Sequence, residues 1–159
     1  HGGVAMGSEI SGGIRNVTIR SCLMDNENWS PLRFKSQPSR GGTVENITFE
    51  DITIKGARSI FDINMEWRMV PPLSPAHYPL TCLRNIHFKN INGEAQSAGT
   101  MYGFKEAPFG NDTFFFENCH IKAQKGLSIS NVANVNFKGL ELEIKEGEKI
   151  YERSANKDK

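Results

Sequence analysis

The segment Leu32-Arg-Phe-Lys-Ser36 sets two cations two residues apart around a bulky apolar side chain. In an extended chain, residues two apart share a face, so Leu32 and Phe34 would turn inward while Arg33 and Lys35 project outward together. Arg grips a carboxylate through two parallel N–H bonds and Lys adds a compact point charge. The pair therefore suits an anionic ligand, although the same spacing also fits two solvated cations on an exposed face. His1 is a side chain that titrates near neutral pH, as proton chemistry requires, but a lone terminal histidine is usually just solvated. Gly2 and Gly3 permit close approach of backbone to a ligand. Ser8 and Glu9 stand either at the edge of such a site or as a turn pair before Gly12-Gly13.

A second group is aromatic. Trp67, His77 and Tyr78 fall in a stretch with four prolines, Pro71, Pro72, Pro75 and Pro79. Long loops on a rigid scaffold often shape binding grooves. Trp67 and Tyr78 have the flat apolar faces on which a ring could stack; the alternative is a loop packed over the scaffold's flank.

The scaffold is legible as a repeated phrase: Asn16-Val-Thr-Ile-Arg-Ser-Cys22, Asn46-Ile-Thr-Phe-Glu-Asp-Ile52, Asn85-Ile-His-Phe-Lys-Asn-Ile91, Thr113-Phe-Phe-Phe-Glu-Asn-Cys119 and Asn134-Val-Asn-Phe-Lys-Gly-Leu140. Positions two, four and seven are apolar throughout, the alternation of a strand with one buried face. A strand repeated along a chain buries that face by stacking on its neighbours. The steps between copies are 30, 39, 28 and 21 residues, too irregular for helical repeats and without the hexapeptide rhythm of a left-handed β-helix. A second series interleaves with the first: Val4–Glu9, Leu32–Ser36, Ile60–Asn64, Met101–Phe104 and Gly126–Ser130. The expectation is an all-β, right-handed parallel β-helix of about five coils, spaced by roughly 4.8 Å, with Phe114-Phe-Phe116 as ordinary core.

Composition narrows the rest. The 159 residues suit one domain, and 19 basic against 18 acidic residues leave a net charge of +1, so no general attraction to nucleic acid or membrane is expected. No stretch approaches the length of a membrane span. Cys22 and Cys119 occupy the apolar seventh position and read as buried core thiols. Three cysteines give no disulfide framework and no metal-ligand spacing. Of the sequons at Asn16, Asn28, Asn46 and Asn111, the first and third open the repeat and read as turn chemistry rather than glycan sites. Residues 1–145 are expected to form the β-helix and 146–159 a cap or frayed tail. The uncapped first coil reads as part of a larger chain, prone to pairing with a preceding segment or with itself.

His1-Gly-Gly-Val-Ala-Met-Gly-Ser-Glu-Ile-Ser-Gly-Gly13, Leu32-Arg-Phe-Lys-Ser36 and Arg40-Gly-Gly-Thr-Val-Glu-Asn-Ile47 resemble the polygalacturonase family, glycoside hydrolase family 28, and its bacterial branch in particular. The resemblance covers the chain to about Lys145 and corresponds to the C-terminal part of the family's catalytic domain. It implies a right-handed parallel β-helix and inverting hydrolysis of galacturonan or a related pectic polymer, with an aspartic acid protonating the leaving oxygen and aspartates opposite activating water. The family's motifs run Asn-Thr-Asp, Asp-Asp, Gly-His-Gly and Arg-Ile-Lys. His1-Gly2 matches the end of the third, and Arg33-Phe34-Lys35 matches the fourth with Phe for Ile.

By this resemblance His1 orients a catalytic carboxylate or the sugar, and Arg33 and Lys35 hold a uronate. Gly2, Ser8 and Glu9 lie near the site, and Tyr102-Gly-Phe-Lys-Glu106 brings Tyr102 and Glu106 toward a subsite. The catalytic aspartates belong upstream of His1, so the chain alone is expected to be inactive. No cofactor is implied, and family members usually work outside the cytoplasm, secreted or periplasmic. The alternative is a non-catalytic β-helix module for carbohydrate binding or assembly. A calcium-dependent lyase would need clustered oxygen ligands, and the sequence sets no such cluster on one strand face.

Overall fold

A computed structural model of the chain describes residues 3–25, 27 and 29–154. Eight strands form one parallel sheet system: β1 Val4–Met6, β2 Ile14–Asp25, β3 Leu32–Lys35, β4 Thr43–Asn64, β5 Cys82–Tyr102, β6 Phe114–Glu117, β7 Cys119–Ser130 and β8 Leu140–Glu152. The main path runs β1-β3-β4-β5-β7-β8, with β2 on β4 and β6 on β5. Every pairing is parallel, so each strand lies above the equivalent strand of the preceding coil. This is a parallel β-helix.

Both strand series of the sequence appear, and they run together. β4 carries a repeat phrase and the following second-series segment in one continuous strand, and β5 carries a repeat phrase and the first two residues of its segment, Met101 and Tyr102. The corners are backbone kinks rather than breaks. Position one of the phrase is left-handed at Asn16, Asn46 and Asn85, with φ of 60°, 55° and 54°. Position six is left-handed at Ser21, Asp51, Asn90 and Asn118. Asn and Asp tolerate that region better than other side-chain-bearing residues.

These corner side chains also stack from coil to coil. Asn46 Nδ2 donates to Asn16 Oδ1 at 2.9 Å, and Asn85 Nδ2 donates to Asn46 Oδ1 at 2.7 Å. Asn90 to Asp51 and Asn118 to Asn90 repeat the arrangement at the other corner, at 2.9 and 2.8 Å. Asn16 and Asn46 are therefore committed to turn geometry, as their place in the repeat suggests.

Inside, register turns the repeat into rows. Val17, Ile47, Ile86 and Phe114 form one row, and Ile19, Phe49, Phe88 and Phe116 the next. Phe49, Phe88, Phe116 and Phe137 make a continuous aromatic stack at centroid spacings of 5.5, 5.4 and 5.7 Å.

Three expectations need correction. The fifth copy is not a strand until Leu140, although Val135 and Phe137 still pack on the core. Asn136 Oδ1 accepts from Lys138 N and Leu140 N donates to Phe137 O, so local turn bonds replace the ladder there. Gly139 sits so close to Phe116 O that a Cβ would meet it at 1.9 Å. Cys22 is only half-buried because β2 is covered on one side alone, whereas Cys119 is buried. Within Phe114-Phe-Phe116 the middle residue faces outward: Phe115 stacks on His87 at 4.8 Å.

Candidate functional site

β3 places the two cations as its alternation dictates. Leu32 and Phe34 are fully buried, and Arg33 and Lys35 are on the outer face. Register then decides their neighbours. Arg33 pairs with Asp62 and Lys35 with Asn64 on the next coil, and beyond them stand Thr100 and Tyr102. The outer surface thus carries two columns, Arg33–Asp62–Thr100 and Lys35–Asn64–Tyr102.

Arg33 is largely enclosed. Its Nε lies 2.6 Å from Asp62 Oδ2, with side-chain exposures of 13% and 21%. The contact is an ion pair rather than an aligned hydrogen bond, since Nε–H has no acceptor in line among the described residues. On its other side, the guanidinium carbon lies 4.9 Å from the centroid of the Trp67 ring, and Lys35 Nζ lies 5.1 Å from the same ring. One indole therefore carries both cations, an arrangement favoured by the negative face of the π-system.

Trp67 is held there by the backbone. Trp67 N donates to Ser36 O at 2.8 Å, tying the residue directly to the end of β3. The loop that follows is pinned across residues 36–40: Gln37 Nε2 donates to Val70 O at 3.0 Å, Leu73 N to Ser39 Oγ at 2.9 Å, and His77 N to Ser39 O at 2.9 Å. Tyr78, in contrast, points to solvent at 79% exposure.

Arg33 opens onto a groove of about 450 Å³ bounded with it by Trp29, Arg58, Asp62, Trp67 and Thr100. Hydroxyls of Ser30, Ser59 and Ser97 also line it. Arg33 is balanced by Asp62, so the Arg33–Asp62–Lys35 cluster carries one net positive charge. Chemically, the wall offers a cationic cluster, an aromatic face and several hydroxyls, which is what an acidic carbohydrate needs.

The remaining expected residues are dispersed. Tyr102 shares the Lys35 column, but its hydroxyl is bonded to Ser128 Oγ at 2.9 Å and its ring is covered by the Arg153 guanidinium at 4.6 Å. Glu106 is exposed on the turn after β5, and Glu9 is exposed after β1. Ser8 is buried. His1 and Gly2 lie outside the described residues. Sequence reasoning missed Asp62, Trp29 and Arg58. For Asp62 a signal existed: aligning Leu32-Arg-Phe-Lys with Phe61-Asp-Ile-Asn sets it opposite Arg33.

The sequence model of the family described as Glycosyl hydrolases family 28 matches residues 1–146. A polygalacturonase of Ralstonia nicotianae (strain ATCC BAA-1114 / GMI1000) is 37% identical over 65 residues, covering 38% of this chain and 12% of that protein. A polygalacturonase of Ralstonia solanacearum is 35% identical over 106 residues, covering 65% of this chain and 20% of that protein. The matches thus span no more than a fifth of either relative's length.

Proposed function

The chain belongs to glycosyl hydrolases family 28, and from that premise we propose that it contributes to a pectin-degrading, polygalacturonase-like hydrolase acting on galacturonic-acid-containing polysaccharide. The observation that carries this reading is the pair Arg33 and Lys35 over Trp67, with Arg33 and Trp67 lining the groove. In the proposed complex Lys35 and the terminal nitrogens of Arg33 hold a uronate carboxylate. Trp67 fixes both cations, and Asp62 keeps the guanidinium oriented. Pre-ordering matters because a free lysine and arginine would lose rotamer freedom on binding.

Neither Asn-Thr-Asp nor Asp-Asp occurs in these 159 residues. The reading therefore gives this chain a sugar-binding wall, with His1 beside the chemistry, and no turnover of its own. That same absence favours a second reading, a β-helix module that binds acidic glycans without hydrolysing them.

Titration of the chain with oligogalacturonate, followed by tryptophan fluorescence, tests the shared core of both readings. Binding that weakens with salt and drops roughly tenfold or more in Arg33→Ala and Lys35→Ala is expected, since each removes a charge-assisted contact. Binding indifferent to both substitutions would remove the uronate site. Release of reducing ends by the chain alone would overturn the assignment of acid and base to residues outside it. Hydrolysis by a protein that carries the aspartate motifs together with this segment, lost in Arg33→Ala, separates the enzyme from the module.

A further inference from the structure

The Trp67 ring meets both cations, and it belongs to the connection between β4 and β5, residues 65–81. Four prolines in that connection, Pro71, Pro72, Pro75 and Pro79, keep their carbonyls but have no N–H. The segment is therefore rich in acceptors and short of donors, and its backbone needs partners from elsewhere. They come from residues 36–42, directly after β3. Ser36, Gln37, Ser39 and Arg40 are all buried, as is Thr81 at the far end of the connection. Gln37 Nε2 donates to Val70 O at 3.0 Å, and Arg40 Nη2 reaches Pro71 O at 3.4 Å. Ser39 Oγ accepts from Leu73 N and donates to Gln37 Oε1 at 3.0 Å, which turns the NH2 end of the amide toward the carbonyls. Thr81 Oγ1 donates to Gly41 O at 2.6 Å and accepts from Ser36 Oγ at 2.7 Å.

Trp67 lies between two of these ties. Ser36 O holds Trp67 N, and the next residue, Gln37, holds Val70 O three residues further on. Only Arg68 and Met69, both exposed, stand between the two anchors. Residues 33–40 thus act in two directions. Arg33 and Lys35 face outward, and the buried side chains that follow hold the segment carrying the indole against them. With the Gln37 tie removed, Trp67 keeps its backbone bond, but the chain beyond it can swing and the ring can tilt away from the cations.

We propose that Gln37 is a positioning residue for the uronate site: its amide, oriented by Ser39, sets the Trp67 indole against Arg33 and Lys35 without touching the sugar. This rests on the uronate reading of Arg33 and Lys35. Affinity for an acidic sugar then depends on a buried amide behind the loop as well as on the cations in front of it.

The test is a double-mutant cycle on the intact chain, with oligogalacturonate affinity read by calorimetry. Gln37→Met keeps the length of the side chain and removes its donor. It is expected to weaken binding roughly fivefold, about the net worth of one hydrogen bond. In a Trp67→Ala background the same substitution should change affinity by less than about twofold, because the residue through which Gln37 acts is gone. Trp29→Phe leaves Trp67 as the single indole. In that protein Gln37→Met should raise acrylamide quenching of the fluorescence, a change that a loss of global stability alone does not produce while the chain stays folded. Ser39→Ala frees the amide without removing it and should move affinity and quenching in the same direction, so it carries the test if Gln37→Met does not fold. No loss from Gln37→Met, an equal loss with and without the indole, or unchanged quenching would overturn the positioning role and leave the uronate site standing. If Arg33→Ala leaves affinity unchanged, the uronate reading falls and this role with it.

Discussion

Arg33 and Asp62 occupy the same rung of adjacent coils, with Arg33 Nε 2.6 Å from Asp62 Oδ2 and both side chains mostly enclosed. The pair does two opposing things. It stabilises a cation that would otherwise be partly buried without a counter-charge, and it lowers the positive charge offered to a ligand.

Asp62→Asn separates these effects. Loss of the counter-charge should destabilise the fold by about 1–3 kcal/mol, the range for a charged partner removed from a poorly solvated group. Affinity for oligogalacturonate should rise, since the cluster gains a unit of positive charge. Urea unfolding and ligand titration on the same variant read both. A fall in affinity would mean that the orientation Asp62 gives the guanidinium, or a contact of its own with sugar, outweighs the charge it cancels, and the compensation argument would fail.

Phe88 is the centre of the core. It stacks on Phe49 and Phe116 and meets Phe61 edge-on at 5.0 Å, and it is fully buried. Phe88→Ala should cost about 3–5 kcal/mol and Phe88→Leu distinctly less, because truncation leaves a cavity that flanking coils cannot close. Equal destabilisation by the two would point to lost ring geometry rather than lost volume.

The core rows and the cations' outward direction were legible because strand alternation is a local property: Val17, Ile47 and Ile86 declare themselves within their own phrases. What joins one coil to the next is not local. Asp62 reaches Arg33 only through register, across a step whose length varies along the chain. Trp67 reaches both cations because its backbone is tied to Ser36 O, which no side-chain pattern encodes. The last phrase misled for a physical reason. Asn134–Leu140 keeps the apolar spacing, yet Asn136 captures Lys138 N and the ladder does not form until Leu140. Phe115 shows the converse: an aromatic in an apolar run that strand alternation alone turns to the surface.

Asn46 tests the corner ladder. Its φ of 55° and its two bonds, to Asn16 and Asn85, are separable by substitution. Asn46→Gly keeps the left-handed backbone and loses the bonds, an exposed-site loss of about 0.5–1.5 kcal/mol. Asn46→Ala loses the bonds and adds left-handed strain of about 1–2 kcal/mol. Glycine should therefore be the milder change by chemical denaturation. Alanine equal to or better than glycine would show that the corner relaxes to another conformation.

His87 gives the fold a pH dependence of known sign. Its ring stacks on Phe115, and its Nε2–H donates to Asn85 Oδ1 at 2.6 Å. Partial burial lowers its pKa from the ordinary 6.5, Lys89 lowers it further, and Glu117 opposes both. The unfolded chain therefore takes up a proton at higher pH than the folded chain does. Below 6.5 the unfolded state binds more protons, so this contribution to stability is complete above that pH and declines as pH falls toward the lowered folded value. His87→Gln removes the titration while keeping a side chain able to donate to Asn85. Denaturation midpoints measured from pH 7.5 to pH 5 should fall more steeply in the parent than in the variant, with the divergence opening below about 6.5. Parallel profiles would mean that His87 protonates as freely in the folded protein as in the unfolded one, and that the stack with Phe115 opens without cost.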